Sequence, residues 1–183
     1  MNYEFKDINS LPRPGTIVYD LNSGTSEQKM KAIKKFKFMN NIVVPLYRIG
    51  FLPLLGFGKI FLLLQIIGRK SGNRLITPLE YHRINSIIHI ISARGEKSDW
   101  FKNLRENQDK VLIKLGFHIF KPRIEIINDS QEKIEVLKWY VTTHPTFAKY
   151  LMGWDEKIDN PESGVLNPLI NLFQIIKLYE TKR

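Results

Sequence analysis

No cysteine occurs anywhere in the 183 residues, which excludes disulfides, Cys-ligated zinc, iron–sulfur clusters and thiol catalysis together. A long apolar run is missing too. The most apolar window, residues 42–67, is broken by Pro45, Arg48, Pro53 and Lys59 and by three glycines, whereas a spanning helix needs about 20 predominantly apolar residues. The N-terminal MNYEFKDINSLPRPGT has neither the basic start nor the apolar core of a signal peptide, so a cytoplasmic location is expected. Acid is scarce as well: 28 Lys and Arg face 18 Asp and Glu, giving +10 and a pI near 9.7. That balance favours an anionic partner: nucleic acid, an acidic membrane or a phosphorylated small molecule.

With 43% hydrophobic and 25% charged residues, the chain has the composition of a packed globular protein. Residues 1–24, rich in Pro, Gly, Asn and Ser, are expected to form an irregular arm, and 25–183 a single domain. Thr25 to Gln28 fits a capping box, and Met30, Ile33, Phe36, Val43 and Leu46 recur at helical spacing among five lysines. The result is a basic helix that Pro45 should end or kink. Strands are expected over 60–67, 75–81 and 86–92, then a short helix from Ser98–Asp99 to Asn107. A hairpin through Gly116 joins 111–115 to 118–127, Asp129 and Glu132 open another helix, and 166–179 reads as helical. Hairpins flanked by helices predict an antiparallel α+β fold curled into a small barrel.

Familiar motifs fail. Gly56-Phe57-Gly58 lacks the third glycine of a dinucleotide fingerprint, and Gly58-Lys59-Ile60 the first glycine and the Ser/Thr of a P-loop. His82, His89, His118 and His144 lack the close paired spacing of zinc ligands, so no metal is expected. Neither an RNP-like nor a helix-turn-helix signature occurs, and no nucleic-acid partner is expected. What survives is Gly68-Arg69-Lys70-Ser71-Gly72, a turn directly after an apolar strand. A guanidinium, an ammonium, a hydroxyl and closely spaced N–H groups there can surround phosphate or carboxylate oxygens.

The ordered set GRKSG, then Thr77-Pro78-Leu79, then Ser92-Ala93-Arg94-Gly95, then Trp100-Phe101-Lys102-Asn103-Leu104 resembles the deazaflavin-dependent nitroreductase family, over residues 42 to 150. The resemblance implies a split β-barrel like that of the pyridoxamine oxidases, coenzyme F420 as cofactor and hydride transfer to a quinone-like, enone or nitro acceptor. By it, Arg69, Lys70, Ser71 and Gly72 grip the anionic tail of the cofactor, with Arg74 nearby. Thr77, Pro78 and Leu79 lie along the ring; Pro78, lacking an N–H, places its strand at an edge or an irregularity. Ser92, Ala93, Arg94, Trp100 and Asn103 complete the cofactor set. His144, Phe147 and Tyr150 line the substrate pocket, and Tyr150 is the candidate proton donor.

Departures from the family pattern are visible. Its usual arginine seven residues after the first glycine is Leu75 here, with Arg74 one position earlier and so on the opposite strand face. Three tyrosines spaced by three become His144, Phe147 and Tyr150, so the middle hydroxyl is absent and nitroimidazole activation is disfavoured. Alternatives stay open: FMN in the same barrel, or a non-catalytic carrier of flavin, haem or fatty acid. The resemblance also implies a homodimer, and the basic helix suggests peripheral membrane contact through residues 27–47.

Overall fold

The computed structural model describes residues 10–180, which divide into two compact units. The first nine residues of the expected arm lie outside the described residues. Within its remainder, Ile17–Asn22 form helix α1, whose Val18 and Leu21 are buried; apolar side chains with a surface to cover override the turn-rich composition around them.

One unit contains residues 10–35 and Ile127–Gln174. In it are α1, the start of α2 (Ser26–Arg48), α5 (Ser130–Thr143), α6 (Pro145–Met152) and α7 (Asn167–Leu172). Asp129 caps α5 as expected, its Oδ1 accepting from Glu132 N at 2.8 Å. Arg13 fixes the connections by a two-pronged bond to Asp159, at 2.6 and 2.8 Å, and by donating to the Gly153 carbonyl. Buried Lys133 donates to the Ile170 and Phe173 carbonyls at the C-terminal end of α7, where helical partners run out.

Helix α2 begins with the expected box: Gln28 N donates to Thr25 Oγ1 at 3.3 Å, and Thr25 N to Gln28 Oε1 at 2.8 Å. It does not end at Pro45. The helix runs on to Arg48, and Ile49 N still reaches the Pro45 carbonyl at 3.1 Å. Proline removes one N–H donor from a helix but leaves its own carbonyl able to accept.

The other unit, residues 36–126 and 175–180, holds two four-stranded sheets. The first has the order β2 (Arg74–Glu80), β1 (Phe61–Ile67), β5 (Leu112–Leu115), β6 (His118–Phe120); the second has β3 (His82–Ile84), β4 (Ile87–Ser92), β8 (Gln174–Glu180), β7 (Pro122–Ile127). Neighbours in the first sheet run antiparallel, as does the β3–β4 hairpin. Leu62, Leu64 and Ile66 of β1 and Ile113 of β5 share one core with Ile88, Ile90, Ile176 and Leu178 of the second sheet and with Phe101 and Leu104 of α4 (Asp99–Glu106). The chain changes sheet twice through a single residue, Tyr81 between β2 and β3 and Lys121 between β6 and β7, and once through residues 93–111 between β4 and β5.

Three expectations therefore change. Among the described residues the strands form two separate ladders and no closed barrel. Residues 118–127 are two strands in different sheets, divided before Pro122, which has no N–H with which to continue the first ladder. The tail is helical only over α7; 174–180 are a strand lying between β4 and β7. Pro78 falls on edge strand β2, as its missing donor requires.

Candidate functional site

The GRKSG turn joins β1 to β2, and it is closed from within. Gly68 N donates to the Asn73 carbonyl and Gly72 N to the Gly68 carbonyl, both at 2.8 Å, while Asn73 N reaches Ser71 Oγ at 3.3 Å. A Cβ on Gly68 would sit 2.7 Å from Ser71 Oγ, and Gly72 has φ 68°, so each glycine has a physical reason. N–H groups of this turn were expected to surround an anion; those of Gly68 and Gly72 are occupied within it.

Arg69 is not a free cation either. Asn103 of α4, itself buried, accepts from Arg69 N at 3.1 Å and from Arg69 Nη1 at 2.8 Å through one oxygen, Oδ1. Arg69 Nη2 pairs with Asp99 Oδ1 at 3.0 Å, and Nε lies 4.0 Å from Glu106. The hydrogen bond from Arg69 holds the Asp99 carboxyl below its usual range. Arg69 and Asn103 thus fasten the turn to the first turns of α4, and Lys70 and Ser71 stay exposed at its tip.

Arg94 behaves differently. It follows β4 in the Ser92-Ala93-Arg94 segment, where buried Ser92 Oγ donates to the Gly95 carbonyl at 3.2 Å. Its Nε is buried without a hydrogen-bond partner, and its guanidinium has no ion pair among the described residues. Such an orphan N–H is costly unless something external accepts from it. Arg94 and Lys102 also help to lower the Asp99 carboxyl, so three cations, Arg69, Arg94 and Lys102, act near two carboxylates, Asp99 and Glu106. An excess of positive charge remains.

Along β2, Thr77 pairs with Leu64 and Leu79 with Leu62 on the core face, whereas Pro78 pairs with Leu63 on the other. The three side chains therefore do not line one surface. Arg74, opposite Ile67, shares the face of Pro78, and Leu75, opposite Ile66, the core side. Trp100 is half-buried, edge-on to Phe101 at 6.2 Å, and packs on the core.

In the other unit, His144 lies between α5 and α6 with its ring 5.5 Å from Trp139 and 5.9 Å from Tyr140. Phe147 and Tyr150 sit one turn apart on α6, both exposed. Lys35 Nζ donates to the Tyr150 hydroxyl oxygen at 3.2 Å, leaving the phenolic proton available to an acceptor.

One titratable group escaped sequence reading. Burial pushes the Glu80 carboxyl up to about 7, and His82 Nε2 lies 3.4 Å from its Oε1. The Glu-x-His spacing at the end of β2 was the available signal, since alternate residues of extended chain share a side. Among the described residues no group of three or more His, Asp or Glu side chains is placed to hold a metal.

A two-sheet antiparallel α+β unit with a cationic turn and an unsatisfied arginine suits a small polyanionic ligand. Residues 54–159, more than half of the chain, match the family of F420H(2)-dependent quinone reductases, and the chain belongs to that family. It is an F420-dependent oxidoreductase, with hydride transfer to a quinone-like acceptor as its reaction. The FMN and non-catalytic alternatives give way to this assignment.

Similar solved structures include an F420-H2 dependent reductase (FDR-A), 19% identical over 66% of this chain and 94% of that one, TM-score 0.43. Another is described as a domain-swapped dimer, 18% identical over 66% and 80%, TM-score 0.44. A third is an FAD-binding protein from Mesorhizobium loti, 14% identical over 67% and 82%, TM-score 0.42. These likenesses are loose, and membership rests on the family match. No curated protein matches the sequence.

Proposed function

We propose that Lys70, Ser71, Arg74 and Arg94 hold the anionic tail of F420, with Arg69 and Asn103 acting as positioning residues. The observation that carries this reading is the buried, unpartnered Nε of Arg94 beside an excess of cations. A phosphate or carboxylate oxygen accepting from that N–H would remove its desolvation cost while meeting a charge already in place. Lys70 adds a mobile point charge from the exposed turn. Bound F420 supplies a hydride-carrying carbon; the chain supplies grip, orientation and shelter from water.

Tyr150 is the proposed proton donor to the reduced acceptor, supported by the Lys35 bond that occupies its oxygen and not its hydrogen. His144 and Phe147 are proposed to flank the acceptor. Flat quinones are its preferred class, with enones and nitro compounds as finer possibilities carried by the family resemblance alone, as are a split-barrel architecture and a homodimer. The test is F420H2 oxidation followed by absorbance with a short-chain naphthoquinone, an enone and a nitroimidazole. Turnover of the quinone above the others supports the reading; no turnover of any acceptor defeats it.

A further inference from the structure

Between Glu27 and Glu80 the sequence has no acidic residue and ten basic ones. The middle of this stretch brings a series of apolar side chains to the surface. Phe38, Ile42, Pro45 and Ile49, all exposed, recur at intervals of four, three and four, which draws one line along the C-terminal half of α2. The line continues into α3 (Phe51–Leu54) and the turn after it, where Phe51 is exposed, Leu54 is 76% exposed and Leu55 59%. No helix among the described residues is long and apolar enough to cross a membrane, so these side chains are not part of a span.

The tip of the β5–β6 hairpin stands beside this segment. A Cβ on Gly50 would come 2.9 Å from the Phe117 ring, and one on Gly58 3.1 Å from the Gly116 Cα. Tyr47 holds the two together, donating to the Phe61 carbonyl at 2.7 Å and accepting from Gly116 N at 2.8 Å. Phe117, 66% exposed, therefore extends the same apolar surface. Exposed Arg48 and Lys59 belong to it, and neither has an ion pair among the described residues.

We propose that this face, residues 38–59 with the β5–β6 tip, seats on a bilayer surface carrying anionic phospholipid. Three features select that occupant. Isolated apolar tips flanked by cations match the interface, where side chains reach the acyl boundary while Lys and Arg meet headgroup phosphates. A second copy of the chain seated here on itself would bring Arg48 and Lys59 against cations of the same acid-free stretch, a like-charge contact. The backbone, finally, is already satisfied: Leu54, Leu55, Gly56, Lys59 and Ile60 donate to carbonyls of Gly50, Phe51, Pro53, Gly56 and Phe57 at 3.0–3.3 Å, so entering a less aqueous layer strands none of these N–H groups. The apolar contact is thus carried by the end of α2 and the turns after it, whereas sequence reading centred it on residues 27–47.

The inference stands apart from the cofactor assignment, and its test does not use F420 turnover. The full chain is floated with vesicles of phosphatidylcholine alone and of phosphatidylcholine mixed with phosphatidylglycerol, at low and high salt. Flotation with the mixed vesicles at low salt, lost with neutral ones, is the expected result. The variant Phe51→Ser/Leu54→Ser/Leu55→Ser, which alters only partly or fully exposed side chains, should partition about tenfold less or worse. Its circular dichroism should be unchanged, and so should its F420 titration. Arg48→Gln/Lys59→Gln should bind mixed vesicles more weakly and with a shallower salt dependence. Absence of flotation with mixed vesicles at low salt overturns the proposal, as does equal flotation of the triple-serine variant. A triple-serine variant that turns a dimer into a monomer while keeping its vesicle binding assigns the face to a second copy.

Discussion

One oxygen of Asn103 accepts from both the backbone N–H and the guanidinium of Arg69, at 3.1 and 2.8 Å. The most prominent cation of the GRKSG turn is thereby a fastener, and its partner is the buried end of the contact. Asn103→Ala should cost about 1–3 kcal/mol in urea unfolding, because a part-buried N–H loses its acceptor. F420 affinity should fall about tenfold as the turn loosens. Arg69→Lys, which keeps the charge but not the planar fork, should bind F420 as poorly as Arg69→Ala. Full affinity in Arg69→Lys would show that charge alone matters there.

Tyr47 offers a cleaner measure of stability. Its fully buried hydroxyl serves the Phe61 carbonyl and the Gly116 N–H, and burial raises its ionisation above the usual phenol range. Tyr47→Phe keeps the packing and strands both groups. Equilibrium unfolding should show a loss of about 1–3 kcal/mol with little change in denaturant sensitivity.

Glu80 should make stability fall as pH rises. Its folded value near 7 exceeds the ordinary glutamate value of 4.5, so between those points the native chain keeps a proton that the unfolded chain has released. The penalty is absent below about pH 4.5 and complete above about pH 7. Glu80→Gln should therefore stabilise the protein by roughly 1–3 kcal/mol at pH 8 and hardly at all near pH 4.5. Thermal melts of both forms across that window check it; a constant difference would show that Glu80 titrates alike in both states.

If Tyr150 delivers the proton, Tyr150→Phe should lower kcat about tenfold or more while F420 affinity stays unchanged. Lys35→Met should lower kcat less, since it removes only the group bonded to the hydroxyl. Unchanged kcat in Tyr150→Phe assigns the proton to solvent.

How much of this was legible beforehand depends on whether the signal was local. The Thr25–Gln28 box, the Asp129 cap and the edge position of Pro78 each follow from one residue's hydrogen-bonding capacity, and each was readable. The C-terminal strand was not: Ile175, Ile176 and Leu178 are all buried because β8 lies inside its sheet, and a strand covered on both faces loses the alternation that marks it. The β3–β4 hairpin was missed in part because its turn places Asn85 and Ser86 at positive φ without glycine. At the site, the sequence revealed the cations. Only the fold revealed that Asn103 and Asp99 occupy Arg69 and that Arg94 keeps an unmet N–H.

Fluorescence titration with oxidised F420 measures directly which cations hold the cofactor. Lys70→Ala/Arg94→Ala should weaken binding by at least about a hundredfold and flatten its salt dependence, with no fall in the unfolding midpoint. Binding by the double variant as tight and as salt-sensitive as that of the native chain would contradict the account.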